Sequence, residues 1–545
     1  MLTDYLQAVR KFLIFLFLAP AALATQYFVT QSGAGTNTGL SLGNAASVAQ
    51  YNANSKFTAT GGDTVSFSGT ITSTITTSSS GTGNGAGRLT MDFSGATIGF
   101  ASGTGNYVDN NSQSFITYSG GGSFNATTGV FTQAGVFTSN GTNGGPPPAS
   151  GGSGNDGPTI FNFSETGTTC HDITITGNYY NGGTTDATDF IWGGSAQATY
   201  VYNLLVTGNY VNNCCHAVSC VRSTCHDITV TNNFFCTSVN ALTQTDLISV
   251  YDMYNLTITG NVLINRAPNS QTEPPTNFAH NDVIQTNQSG ATPNGAPYNI
   301  VIAYNWICND AQNGSTGAGS WMTIEGVTNN GALNAMYVYG NVFISPSDNF
   351  GQNNGCTFDS MNGATINFYN NTFISSGTQP NTDFFDFAGG NTGTITVNLE
   401  NNVAEGINGS PYIPVIAQGT GYTINNNYNW SANLSNTSQW NGTNGTDLGT
   451  GVTSDPWFVS FTGTPGSQVP SGYNFLSKTG SALRGAGDHT IGATYNQGIA
   501  SAAIWPNPNL ATRTPAVWDI GAYQFVAVGT NRSLGPLNPT GILIP

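Results

Sequence analysis

The sequence predicts an all-β solenoid, and three observations predict it. The motif apolar-x-apolar-x-x-Asn recurs nine times in order, only 7% of the 545 residues are charged, and Gly, Asn, Ser and Thr fill the segments between motifs. Apolar residues at every second position mark a strand with one buried face. With 23 Tyr and 30 Phe, the low charge reads as an ordered chain with uncharged polar turns, not as disorder.

The motifs are Ile173/Ile175/Asn178, Leu204/Val206/Asn209, Ile228/Val230/Asn233, Leu256/Ile258/Asn261, Ile300/Ile302/Asn305, Met336/Val338/Asn341, Ile366/Phe368/Asn371, Val397/Leu399/Asn402 and Tyr422/Ile424/Asn427. Their asparagines lie 24 to 44 residues apart. A short minimum repeat with insertions of variable length is how stacked coils are written, each insertion being a loop. An Asn at a fixed offset after each strand predicts a corner, with amides stacking from Asn178 through Asn427 as one internal column. Between successive corners a second strand set is expected: DFIWGG from Asp189, DLISVY from Asp246, DVIQTN from Asp282, MTIEGV from Met322, CTFDSM from Cys356 and DFFDFA from Asp383. The Asp that opens four of these is expected to cap a turn.

The first residues read as an export signal. Arg10 and Lys11 precede an apolar run from Phe12 to Ala19, and Ala22-Leu23-Ala24 forms a small-residue cleavage site. Residues 1–24 are thus expected to be removed, and the mature protein to be secreted or held at the cell surface. No segment is long and apolar enough for a membrane span. A net charge of −16 with only ten Lys and Arg excludes nucleic acid as a partner, since phosphate neutralisation needs cations.

Two end segments carry a family resemblance. YFVTQSGAGTNTGLSLGNAASVAQ from Tyr27, followed by GGDTVSF ending at Phe67, resembles an N-terminal cap and first coil; DPWFV from Asp455 and WDIGAYQF from Trp518 resemble a closing segment. With the repeats between them, the chain resembles secreted right-handed parallel β-helix proteins of the pectin-lyase-like superfamily. The resemblance implies a right-handed parallel β-helix with an N-terminal cap and C-terminal closing segment. It also implies a monomer whose partner is an extracellular polysaccharide. The superfamily spans hydrolases, lyases, epimerases, depolymerases and adhesins, so it specifies the fold and not the reaction. The organisation expected is cap, early coils and a Gly/Pro-rich insert over 25–158, the helix body over 159–430, and C-terminal coils and cap over 431–545.

CHDITITGNYY from Cys170 and CHDITVTNNFF from Cys225 nearly repeat one another. As rungs with one coil between them, the two cysteines lie about 9–10 Å apart, too far for a disulfide. Duplicated Cys-His-Asp metal sites are the competing reading. The eight cysteines show no zinc-finger spacing, and export favours one to three disulfides or thiols stacked inside the coils. No bound metal is assigned.

Aligning Ile191, Ile248, Ile284, Ile324, Phe358 and Phe385 as one buried column makes the next residues face outward: Trp192, Ser249, Gln285, Glu325, Asp359 and Asp386. Three carboxylates on neighbouring coils suit glycoside hydrolysis, which needs paired carboxyls at roughly 5–5.5 Å or 6.5–9.5 Å. Trp192 and Trp321 are candidate sugar-stacking platforms, and Gln285 extends the row. A column of this kind can equally bind Ca²⁺, and no cofactor is required. The alternative is a lyase or epimerase with His280 and Asp282 as base cluster and Arg266 neutralising uronate; Arg222 and Arg266 are the only cations in the body. A non-catalytic adhesive surface protein is the third reading. The low charge points to a hydrolase of a neutral or weakly charged polysaccharide.

Overall fold

The computed structural model describes residues 24–524 except 56–57, 100–105, 140–157, 164–168, 184–187, 194–199, 221–223, 238–245, 252, 267–281, 288–296, 311–319, 346–354, 376–382, 388–392, 407–412, 419–420, 435–437, 450–451, 453–456, 461–469, 471–473, 501–502 and 514–517. The export signal, most of the Gly/Pro-rich insert and His280 lie outside the described residues.

The chain is a right-handed parallel β-helix. Each body coil contributes three strands, as in Thr224–Thr231, Phe234–Thr237 and Ile248–Tyr251. First and second strands stack into a 25-stranded sheet, and third strands into an 11-stranded one. Their ladders are parallel, for example Ile228 on Leu256 and Ser249 on Gln285. The alternating residues Ile173, Ile175, Ile228, Val230, Ile300 and Ile302 are fully buried and form the core. Burial of one face, repeated coil after coil, is what the period-two pattern encodes.

The Asn column is present. From Asn178 to Asn402, each Nδ2 donates to the Oδ1 of the next Asn at 2.9–3.1 Å. The same Oδ1 accepts the preceding Asn's backbone N–H at 2.9–3.0 Å. The last member is Asn429, not Asn427. Val397 pairs with Ile424 and Leu399 with Asn426, so in the final coil an amide stands at the second apolar position and displaces the pattern by two. Asn427 instead points outward and donates to Glu400 Oε1 at 3.3 Å. The residue before every column member has positive φ, from Gly177 at 63° to Tyr428 at 52°. That left-handed turn explains why Gly or Asn so often precedes the column Asn.

The repeated Cys-His-Asp segments are rungs, as expected. Cys170 pairs with Val201, and Val201 with Cys225. His171, Tyr202, His226, Tyr254 and Tyr298 stack ring on ring at 4.6–5.2 Å. Asp172 and Asp227 sit at a left-handed bend, φ 56° and 54°, that Asn203, Asn255 and Asn299 occupy in other coils. All eight cysteines are buried thiols rather than cross-links.

At the N-terminal end the short helix Val48–Asn52 buries Val48 and Tyr51, its start fixed by a Ser47/Gln50 capping box. At the other end Trp440, fully buried, packs on Phe373 and Phe385. The segments from Trp457 to Gln524 then lie against the second strands: Trp457, Phe475, Ile499 and Ile520 join Val262, Trp306 and Val403 in a second apolar cluster. No helix among the described residues is long and apolar enough to cross a membrane.

Candidate carboxylate sites

Glu325 and Asp359 stand directly opposite one another on the adjacent third strands Met322–Glu325 and Cys356–Asp359. Neighbouring strands lie about 4.8 Å apart, so the two carboxylates share one face at side-chain reach. Each strand ends in a left-handed turn just after the acid, at Gly326 (φ 70°) and Ser360 (φ 53°). The Ser360 N–H donates to Asp359 Oδ1 at 2.6 Å, which fixes that carboxylate.

Asp386 is placed differently from the sequence alignment. Ile284 pairs with Met322, not Ile324, and Phe358 with Phe387, not Phe385. The side chains on this face of the third strands therefore form two columns, buried at Ser249 and Gln285 and half-buried at the acids. Ser249, Gln285, Thr323, Thr357 and Asp386 make one; Glu325 and Asp359 belong to another, two residues further along. A slip of two preserves the face, so Asp386 still lies on the face of Asp359, one strand over. Combining about 4.8 Å between strands with about 6.6 Å along one gives a diagonal of about 8 Å between backbones. Burial, and then the Asp359 charge, push the half-buried Asp386 carboxyl above the ordinary aspartate range.

Other expected site residues fall elsewhere. Trp321 is fully buried; its Nε1 donates to the Ile344 carbonyl at 3.0 Å and its ring packs on Phe343 and Phe373. It is a core residue and offers sugar no face. Trp192 is 4% exposed and Gln285 2%, so neither presents an open surface. Asp282 is 1% exposed: its Oδ1 accepts the Ser320 N–H, and its own N–H donates to Asp246 Oδ1, both at 3.0 Å. It is the turn cap its position suggested, not an open base. Arg266 follows a second strand, with its N–H on Thr237 Oγ1 at 2.7 Å, in a different row from the carboxylates.

One carboxyl pair was missed from sequence. Glu400 faces outward between Tyr369 and Asn427 of the neighbouring coils, beside a polar cleft of about 640 Å³ lined by Asn398, Asn425 and Asn444. Asp488 reaches it from the C-terminal segment, tethered by two hydrogen bonds to Asn401 at 2.7 and 2.8 Å. Burial first, then the hydrogen bond and charge of Asp488, raise Glu400 to about 8. Asp488 is held low: the Thr490 donors and the Glu400 proton outweigh its partial burial. The pair thus shares one proton at neutral pH. Since the folded chain holds that proton more tightly than the unfolded one, the stability it contributes is full below about pH 4.5 and drains as pH rises through about 8. Thermal melts should show the wild-type Tm falling relative to Glu400→Gln across this window; parallel curves would refute the shared proton.

Another cleft, about 850 Å³, is walled by rings, among them Phe131, Tyr179, Tyr210, Phe234 and Trp505, and among the described residues no carboxylate is part of its wall.

No family model matches the sequence, and no curated protein does. Among solved structures the chain is similar to a GH136 lacto-N-biosidase from Eubacterium ramulus, at 12% identity, over 75% of this chain and 67% of that one, with a TM-score of 0.43. It is also similar to pectate lyase Pel9A, at 12% identity, over 93% of this chain and 98% of that one, with a TM-score of 0.30. Likenesses at this level assign this chain no activity.

Proposed function

We propose that the protein is an extracellular glycoside hydrolase that cleaves a neutral or weakly charged polysaccharide on the face of the third strands. The observation that carries this reading is the placement of Glu325, Asp359 and Asp386 on one face of adjacent strands. Asp386, whose carboxyl is raised by burial and by Asp359, is the proton donor to the glycosidic oxygen. Asp359, held by Ser360, accepts the proton of the water that attacks the anomeric carbon. Side chains on one face whose backbones lie about 8 Å apart on the diagonal fit inversion, for which carboxyl separations of roughly 6.5–9.5 Å leave room for that water. Glu325, opposite Asp359, places a third carboxyl beside the oxocarbenium-like centre. Bound Ca²⁺ at these acids is the competing use of the same geometry.

A net charge of −16 disfavours polyanionic substrates. Elimination chemistry loses a partner, because Asp282 is buried. A second reading places the proton donor at Glu400, favoured by its raised pKa and the amide-lined cleft beside it. The export signal expected in residues 1–24 supports an extracellular site for either chemistry. A panel of polysaccharides tests the proposal: new reducing ends without ultraviolet absorbance support hydrolysis. Unsaturated products would establish a lyase, and silence on every substrate would favour an adhesin.

A further inference from the structure

A third cluster lies apart from both carboxyl sites. Asp189 opens the third strand Asp189–Gly193, and Cys215 and His216 form the corner of the next coil, between Tyr210–Cys214 and Val218–Cys220. Their donor atoms, one carboxylate oxygen, one sulfur and one imidazole nitrogen, all lie within 4.8 Å of one another. His216 Nδ1 is 2.8 Å from Asp189 Oδ1. Asp189 and Cys215 are each 1% exposed, while the imidazole retains 15% exposure, leaving one approach from solvent.

Two features separate this rung from its neighbours. Among the described residues, Asp246 and Asp282 at the equivalent turns of later coils each accept the next coil's N–H, supplied by Asp282 and Ser320. Here Asp189 accepts the His216 N–H at 3.2 Å in the same way, and a thiol and an imidazole are added. Adjacent residues of a strand point to opposite faces, so Cys215 and His216 converge only because the corner turns between them.

We propose that Asp189, Cys215 and His216 bind one Zn²⁺ ion that braces two neighbouring coils. Thiolate, imidazole and carboxylate are the donors zinc takes, and bonds of about 2.0–2.3 Å in a tetrahedron set donors roughly 3.3–3.8 Å apart. With the donors now between 2.8 Å and 4.8 Å apart, shifts of about 1 Å or less reach that spacing. Binding releases the Cys215 thiol proton and displaces the Nδ1 proton of His216 to Nε2 or to solvent, replaces the Asp189–His216 hydrogen bond with two metal bonds, and leaves the fourth position to water. The brace is independent of the hydrolase reading, and its failure would leave that reading untouched.

Metal-stripped full-length protein titrated with Co²⁺ tests the proposal before any substitution is made. We expect one equivalent to bind, with a sulfur-to-cobalt charge-transfer band, and Zn²⁺ to displace it and raise Tm. Cys215→Ala should abolish the band, His216→Gln and Asp189→Asn should each weaken binding at least tenfold, and Cys356→Ala, remote from the cluster, should keep the band. Absence of a charge-transfer band in the wild type overturns the proposal. So does a band that survives in Cys215→Ala.

Discussion

The Asp359→Asn protein is expected to fold as the wild type does and to lose turnover by about three orders of magnitude. The amide is isosteric and can still accept the Ser360 N–H, so the turn at Ser360 keeps its hydrogen bond. On a partly exposed face, this change should alter stability by no more than about 0.5 kcal/mol. What is lost is a base, and removing a positioned base costs typically about 10²–10⁴ in rate. Measuring kcat and KM separately places the loss: a fall in kcat at constant KM is expected of a group that acts in the transition state. Asp386→Asn should cost a comparable factor and remove the alkaline limb of the pH–rate profile, because the raised carboxyl is the group whose deprotonation ends activity. Full activity in both variants, with loss in Glu400→Gln, would move the chemistry to the Glu400–Asp488 cleft. Should Ca²⁺ raise the wild-type Tm, and Asp359→Asn abolish that rise without touching activity, the face is a metal site.

Asn305→Leu is expected to destabilise the fold by about 3 kcal/mol or more, against about 0.5 kcal/mol for the exposed Asn425→Leu. Asn305 Oδ1 accepts both the N–H and Nδ2 of Asn261, and its Nδ2 donates to the Ile258 carbonyl and to Asn341 Oδ1. Leucine strands the Asn261 N–H in a fully buried corner and interrupts the column in mid-run. Each unsatisfied buried group costs about 1–3 kcal/mol. Urea denaturation of the two variants checks this; equal midpoints would mean that the column adds nothing beyond shape.

The fold was legible because backbone geometry wrote it. Each coil needs a buried strand face, a left-handed residue and a corner amide, and these leave apolar alternation, Gly or Asn, and Asn in fixed order. Register was less legible for a physical reason. Period-two alternation fixes which face a residue takes, but sliding a strand by two leaves the face unchanged. The carboxylate column and Asn427 both slipped by two in this way. The left-handed residues Gly326 and Ser360, directly after Glu325 and Asp359, are the marks that align those strands. Trp321 was misread because a large ring at the start of a strand carries no sign of inside or outside. The Glu400–Asp488 pair was invisible for another reason: it joins a body strand to the distant C-terminal segment, a contact that depends on how the chain returns along the coils.

The most direct test of the central claim is digestion of an active polysaccharide in water enriched in heavy oxygen. Hydrolysis by water activated at Asp359 predicts that each new reducing end carries the heavy oxygen, read by mass spectrometry, with no unsaturated sugar. Chain scission whose products are unsaturated and carry no label would contradict the account.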